Sequence, residues 1–223
     1  MKTNESGRRK AHKGIAMEGI VARQYDRVQR NMIEQYRSWA GLVNSHAAAG
    51  SSILDVAPGP GYLLIDLAKQ GSYELTGLDL SKTFVKIAQD KANKTGLKID
   101  FRQGDAAEMP FPSETFDFVI CTSAFKNFSE PVKVLDEIFR VLKSGGMALI
   151  IDMRKDAPKE KMSEFVNRMK LNIFDSYFVK GTFKSLARSA YTDSEVADIA
   201  NRSRFGQGKI VDEDIGFELW LKK

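Results

Sequence analysis

The sequence predicts an α/β domain on a mainly parallel sheet, and three observations carry that expectation. From residue 51 onward, short runs rich in Ile, Leu, Val and Phe alternate with longer runs of helical apolar spacing. One strand-like run passes through Asp55-Val56-Ala57-Pro58-Gly59-Pro60-Gly61 directly into a helix-like one. The chain has 223 residues, 43% of them apolar and 28% charged, which suits one sizeable core and is thin for two.

Taken in order, residues 17–43 read as a helical lead-in with Ile20, Tyr25, Val28, Met32 and Trp39 among its apolar positions. Residues 52–57 are a buried strand, and 62–70 a helix closed by Gly71 in a C-terminal cap. Residues 73–79 are the second strand. Ser81 then caps a helix with Phe84, Ile87 and Ala88 on one face, ending near Gly96. The third strand is 99–103 and the fourth 116–121. A helix starting at Ser129 or Pro131 places Leu135, Ile138, Phe139 and Leu142 at i, i+3, i+4 and i+7. Gly145-Gly146 stops it, and 147–152 is the fifth strand, with right-handed crossovers throughout. Residues 154–190 break the rhythm as a polar-aromatic insertion with helices around 163–178. Residues 208–211 and 216–221 pair as an antiparallel hairpin across an acidic turn.

Charge and composition exclude several classes. The net charge of +5 owes much to Arg8-Arg9-Lys10, Lys13 and Lys222-Lys223 at the termini, which argues against a nucleic-acid partner. No run of about 18 apolar residues occurs, so no membrane span is expected. The polar N-terminus lacks the apolar stretch of a secretory signal. A lone Cys121 cannot form an internal disulfide, which points to a reducing, cytoplasmic home. With that cysteine and two histidines, no metal is expected, and neither His12 nor His46 is assigned a catalytic role. A monomer or a homodimer is expected.

The glycine turn carries the chemistry. Glycines let the backbone approach a ligand, and the following helix offers free N–H groups at its positive end. A dinucleotide site wants a third glycine where Leu64 stands. Asp55, four residues before Gly59, repels a pyrophosphate but suits an ammonium group. The turn therefore favours an amino-acid-bearing nucleoside. Asp79, twenty residues past Gly59, sits where a carboxylate accepts from a ribose diol. Asp105 can accept from an adenine amino group, and the Ala106 N–H can donate to a ring nitrogen. All three acids fall at the carboxyl edge of the sheet, where open α/β sheets bind ligands.

Leu54 to Gly61, Gly77-Leu78-Asp79-Leu80-Ser81, Gly104 to Phe111 and Arg140 to Gly146 resemble the successive motifs of class I S-adenosylmethionine-dependent methyltransferases. The flavour is that of the ubiquinone/menaquinone-biosynthesis-like branch, which acts mostly on small molecules. The resemblance covers residues 50–152 and extends to the final hairpin. It implies a Rossmann-like sheet of seven strands, mostly parallel, with helices on both faces and an antiparallel last strand. It implies S-adenosyl-L-methionine as cofactor, S-adenosyl-L-homocysteine as product and a small-molecule acceptor. The cofactor residues it implies are Tyr25, Asp55, Ala57, Gly59, Gly61, Asp79, Leu80, Asp105, Ala106, Thr122 and Ser123. The chain then divides into a basic tail (1–16) and one methyltransferase domain (17–223). Within it lie a helical lid (17–49), a cofactor-binding core (50–152), a substrate-side helical insertion (153–190) and a C-terminal helix and hairpin (191–223). Ala57-Pro58 departs from the family, which more often has a glycine and a small or acidic residue there.

No side chain stands out as the catalytic base. A histidine often found in the loop after the fourth strand is replaced by Lys126-Asn127, so the candidates are Asp152, Asp156 and Lys126. Phe165, Phe174, Tyr177, Phe178, Phe183 and Tyr191 are candidate lining for an acceptor pocket. The rival readings are an RNA- or protein-modifying methyltransferase, a non-catalytic cofactor-binding regulator and an NAD-dependent oxidoreductase.

Overall fold

The structure, a computed structural model, describes Lys13, residues 17–168 and residues 188–223. The lead-in is α1 (Gly19–Gln29), a 3-10 turn (Arg30–Met32) and α2 (Ile33–His46). Then come β1 (Ser52–Val56), α3 (Tyr62–Gln70), β2 (Glu74–Asp79), α4 (Lys82–Lys94), β3 (Asp100–Gln103) and β4 (Phe116–Thr122). A 3-10 turn (Phe125–Asn127), α5 (Pro131–Val141), β5 (Leu142–Met153), α6 (Lys159–Arg168), α7 (Asp193–Arg202), β6 (Lys209–Asp212) and β7 (Gly216–Lys222) complete it. The strands form one sheet in the order β3-β2-β1-β4-β5-β7-β6. Every pairing from β3 to β5 is parallel, and β7 runs antiparallel to both β5 and β6. The seven-stranded sheet with its reversed last strand is therefore present.

Two-residue alternation builds two cores. Along β1, Ile53 joins one apolar cluster and Leu54 and Val56 the other. Along β4, Phe118 and Ile120 face α2 to α4, while Val119 and Cys121 face α5 and α7. Leu149 and Ile151 against Ala148 and Ile150 do the same on β5. Such strands need apolar residues on both faces, which is why they read as continuous runs. Pro131 opens α5 at its first turn, where a missing N–H costs nothing.

Two details differ from expectation. Gly71 closes α3 in extended backbone, at φ −156°, and a Cβ there would meet the Tyr73 ring at 2.5 Å, so its role is steric rather than conformational. Gly145-Gly146 does not stop α5. The helix ends at Val141 and β5 starts at once, pairing Leu142 with Phe116 before an irregularity shifts the register. The Arg140 and Val141 carbonyls left over accept from Glu114 and Thr115 N–H at 3.0 and 2.8 Å. Of the expected basic tail, only Lys13 is among the described residues, and of the insertion's aromatics Phe174, Tyr177, Phe178 and Phe183 lie outside them.

Candidate functional site

A cleft opens at the carboxyl edge of the sheet. Ala57 and Gly59 line it after β1, Asp79 and Leu80 at the end of β2, and Asp105 and Ala106 after β3. Thr122 and Ser123 line it at the end of β4, and Tyr25 of α1 completes it. Nine of the eleven expected cofactor residues thus share one cleft. Asp55 and Gly61 do not line it. Asp55 is fully buried in β1 with neither carboxylate oxygen hydrogen-bonded among the described residues, and burial, followed by the Asp79 charge, pushes its carboxyl well above the usual range. A Cβ on Gly61 would meet Ala88 at 2.8 Å and Phe101 at 2.9 Å, so this glycine lets α3 start against α4 and β3.

The turn is shaped by its backbone. Gly59 has φ 55°, which glycine adopts freely, and it leaves the nearest side chain, Tyr25, 4.0 Å from where a Cβ would stand. Ala57 has φ 62° and bears a left-handed strain of about 1–2 kcal/mol. Its N–H is held by the Leu78 carbonyl at 2.8 Å. The turn presents the Gly59 N–H to Asp79 Oδ2 at 2.9 Å, and the Ser81 N–H reaches Oδ1 at 2.8 Å. Each oxygen keeps acceptor capacity, the arrangement a vicinal diol needs. Burial pushes the Asp79 carboxyl up to about 6 and the Glu18 charge adds to it, against the two amides that hold it down. Asp105 Oδ1 accepts from the Ala107 N–H at 2.9 Å, which fixes the turn after β3.

A second cavity of 310 Å³ shares Tyr25 and Ser123 with the cleft. Its walls are largely apolar, with Met32, Trp39, Ile151, Phe165, Ile215 and Phe217 among them, and Arg168, Glu213, Asp214 and Glu218 add charge to its lining. Lys126 and Asp152 line it as a buried ion pair, Nζ to Oδ1 2.7 Å, with side chains 4% and 1% exposed. Lys126 is thus no solvated loop residue. Asp156 lines neither cavity. It is exposed, bound to Arg154 at 2.8 Å, beside Asp193 and Asp212 on the same guanidinium. Tyr191 also stands apart, packed on Phe125 with ring centroids 5.8 Å apart and its hydroxyl accepting from Lys13 at 2.5 Å. Burial pushes the Cys121 thiol well up, which leaves it an inert core residue. Sequence reasoning missed Met17, Glu18 and Phe84 in the cleft and Gln29 and Phe217 in the cavity, since nothing local marks them.

An open α/β sheet with a buried, amide-bound carboxylate at its carboxyl edge and a largely apolar cavity beside it has the layout of a ligand-binding site. Residues 54–150 match the family model described as a methyltransferase domain. The chain is 33% identical over 150 residues to demethylmenaquinone methyltransferase of Deinococcus radiodurans, spanning 64% of this chain and 62% of that protein. It is 34% identical over 158 residues to the Staphylococcus carnosus enzyme of the same name, spanning 68% and 64%. The chain therefore spans under two thirds of the length of these curated relatives. A crystal structure from Methanococcus maripaludis, described as a candidate S-adenosyl-L-methionine-dependent methyltransferase, superposes with a TM-score of 0.76 at 21% identity, covering 95% of each chain. Residues 54–150 thus form a methyltransferase domain, and the chain is similar to the demethylmenaquinone methyltransferases over that core.

Proposed function

We propose that this protein transfers the methyl group of S-adenosylmethionine to a small, largely apolar acceptor bound in the 310 Å³ cavity. The observation that carries the reading is that the cleft and this cavity meet at Tyr25 and Ser123. Methyl transfer needs donor and acceptor held in line and little else, so two compartments with a common wall suit it. When bound, S-adenosylmethionine supplies an electrophilic methyl group on a cationic sulfur.

The residues present fit that cofactor. Asp79, with acceptor capacity left on both oxygens, would take the ribose hydroxyls. Asp105 and Ala106 would take the adenine, and the open backbone at Gly59 the amino-acid end. The largely apolar cavity suits an apolar acceptor, and Tyr25 lines both it and the cleft. Asp152 is tied to Lys126 and to backbone amides, so neither residue is free to act as a simple solvent-exposed base. The acceptor is then already nucleophilic. The relatives' names make demethylmenaquinone the first acceptor to assay. A cytoplasmic site of action, read from the lone Cys121, belongs to the same proposal.

The test is transfer of labelled methyl to a panel of reduced quinones, small phenols, amines, bulk RNA and protein. Labelling of a small molecule is expected. Labelling confined to RNA or protein, or none with homocysteine-product binding intact, overturns the reading. Filling the cavity with Met32→Trp should cut kcat/KM at least tenfold and leave S-adenosylhomocysteine affinity unchanged.

A further inference from the structure

Ser123 is a non-glycine residue in the left-handed region, with φ 57°, at the wall shared by cleft and cavity. An L side chain holds such a backbone only when its surroundings enforce it, and such residues cluster at functional sites. Here both sides of the residue are pinned. Its N–H donates to the Ile151 carbonyl at 2.7 Å, which continues the β4–β5 ladder. Its carbonyl accepts from Lys126 Nζ at 2.5 Å. Lys126 comes back to Ser123 because the 3-10 turn Phe125–Asn127 reverses the chain, with Asn127 N–H on the Ala124 carbonyl at 2.9 Å.

Asp152 fixes the lysine in turn. Its Oδ1 takes Lys126 Nζ at 2.7 Å and its Oδ2 takes the Lys126 backbone N–H at 2.8 Å. The Met153 N–H adds a third bond to the carboxylate, reaching Oδ1 at 2.7 Å. A buried charge pair is a costly way to hold two elements together, so its geometry rather than its net stability is the informative feature.

We infer that Lys126 and Asp152 are positioning residues that hold the Ser123 backbone in its left-handed conformation, and so set the wall across which methyl transfer occurs. The inference rests on the methyl-transfer reading. It assigns the pair no proton transfer: the lysine acts through the Ser123 carbonyl.

The test uses the full chain. Lys126→Met/Asp152→Asn removes both charges together and avoids stranding one of them. In the ligand-free protein, amide exchange over residues 121–128 should quicken about tenfold. S-adenosylhomocysteine affinity should fall about fivefold, and kcat by more than KM changes. Adding Ser123→Gly, which adopts positive φ without strain, should restore most of the affinity and kcat. Lys126→Arg, which can keep both bonds, should behave like the wild type. Unchanged exchange in the double variant overturns the inference. So does a loss that Ser123→Gly leaves unrepaired, since the lysine would then act on the ligand itself. Because exchange is read without ligand, failure of this inference is distinct from failure of the methyl-transfer reading, which would show as no small molecule labelled by the wild type.

Discussion

Asp79 is where the site's electrostatics and its ligand chemistry meet. Its folded pKa of about 6 lies above the usual carboxylate value, so its contribution to stability is fully present below the unfolded pKa. That contribution is lost as pH rises from about 4 through 6. The ligand reverses the preference, because ribose hydroxyls donate best to the ionised form. In the ligand-free protein, the stability of the wild type relative to Asp79→Asn should therefore fall across pH 4 to 6. Over the same range S-adenosylhomocysteine affinity should rise in the wild type and stay flat in Asp79→Asn. Calorimetric titration at pH 5 and 7.5 checks it, and a wild-type affinity independent of pH refutes it. At Ala57, with φ 62°, the chain lacks the glycine that a left-handed turn prefers. Ala57→Gly relieves about 1–2 kcal/mol of strain and gives back about 0.4–1 kcal/mol to unfolded-chain entropy. A small rise in Tm is expected, with cofactor binding retained, and a clear fall in Tm refutes it.

At the scale of elements, α1 is held by polar clamps more than by core. Ile20 is 84% exposed and Val21 45% exposed, so the lead-in's apolar spacing overstated its burial. Its N-terminal neighbour Glu18 instead caps α4 from outside, accepting from the Lys82 and Thr83 N–H groups at 2.9 and 3.1 Å. Near the other end of α4, Lys91 pairs with Asp26 of α1, and the Tyr62 hydroxyl donates to the same carboxylate at 2.8 Å. These contacts set Tyr25, next to Asp26, between the two cavities. Glu18→Ala should loosen α1 by roughly 1 kcal/mol, the usual cost of a lost cap. The loss should appear as faster amide exchange over 17–29 and weaker S-adenosylhomocysteine binding, with strand exchange unchanged. Uniformly faster exchange would instead mean that α1 opens only with the whole fold. None of these clamps was legible in the sequence, because Glu18 and Thr83 are 65 positions apart and nothing local marks the partnership.

For the whole molecule, what was legible followed from periodicity. The strands β1, β4 and β5 announce themselves because both of their faces are buried, and the turn at Gly59 because its residues must serve backbone geometry. The ends of α5 and β5 were misread because Gly145-Gly146 looks like a stop signal, while the strand continues through it by pairing with β4. The Lys126–Asp152 pair was readable only as two separate candidates, since a separation of 26 positions hides that α5 and β5 bring them together. Asp55 shows the converse: its place in the motif was plain, but its full burial behind the cleft was not. One consequence belongs to the molecule entire. The cleft draws on α1, β1, β2, the turn after β3 and β4 at once, so a ligand there binds only the assembled fold. S-adenosylhomocysteine at a hundredfold excess over its Kd should then add about 2.7 kcal/mol. For a domain of this size that is a Tm rise of about 5–11 °C. NAD at the same concentration should produce none, and Asp79→Asn should shrink the shift for S-adenosylhomocysteine. A larger shift with NAD would reassign the cleft to a dinucleotide, against the acid at position 55 and the leucine at 64.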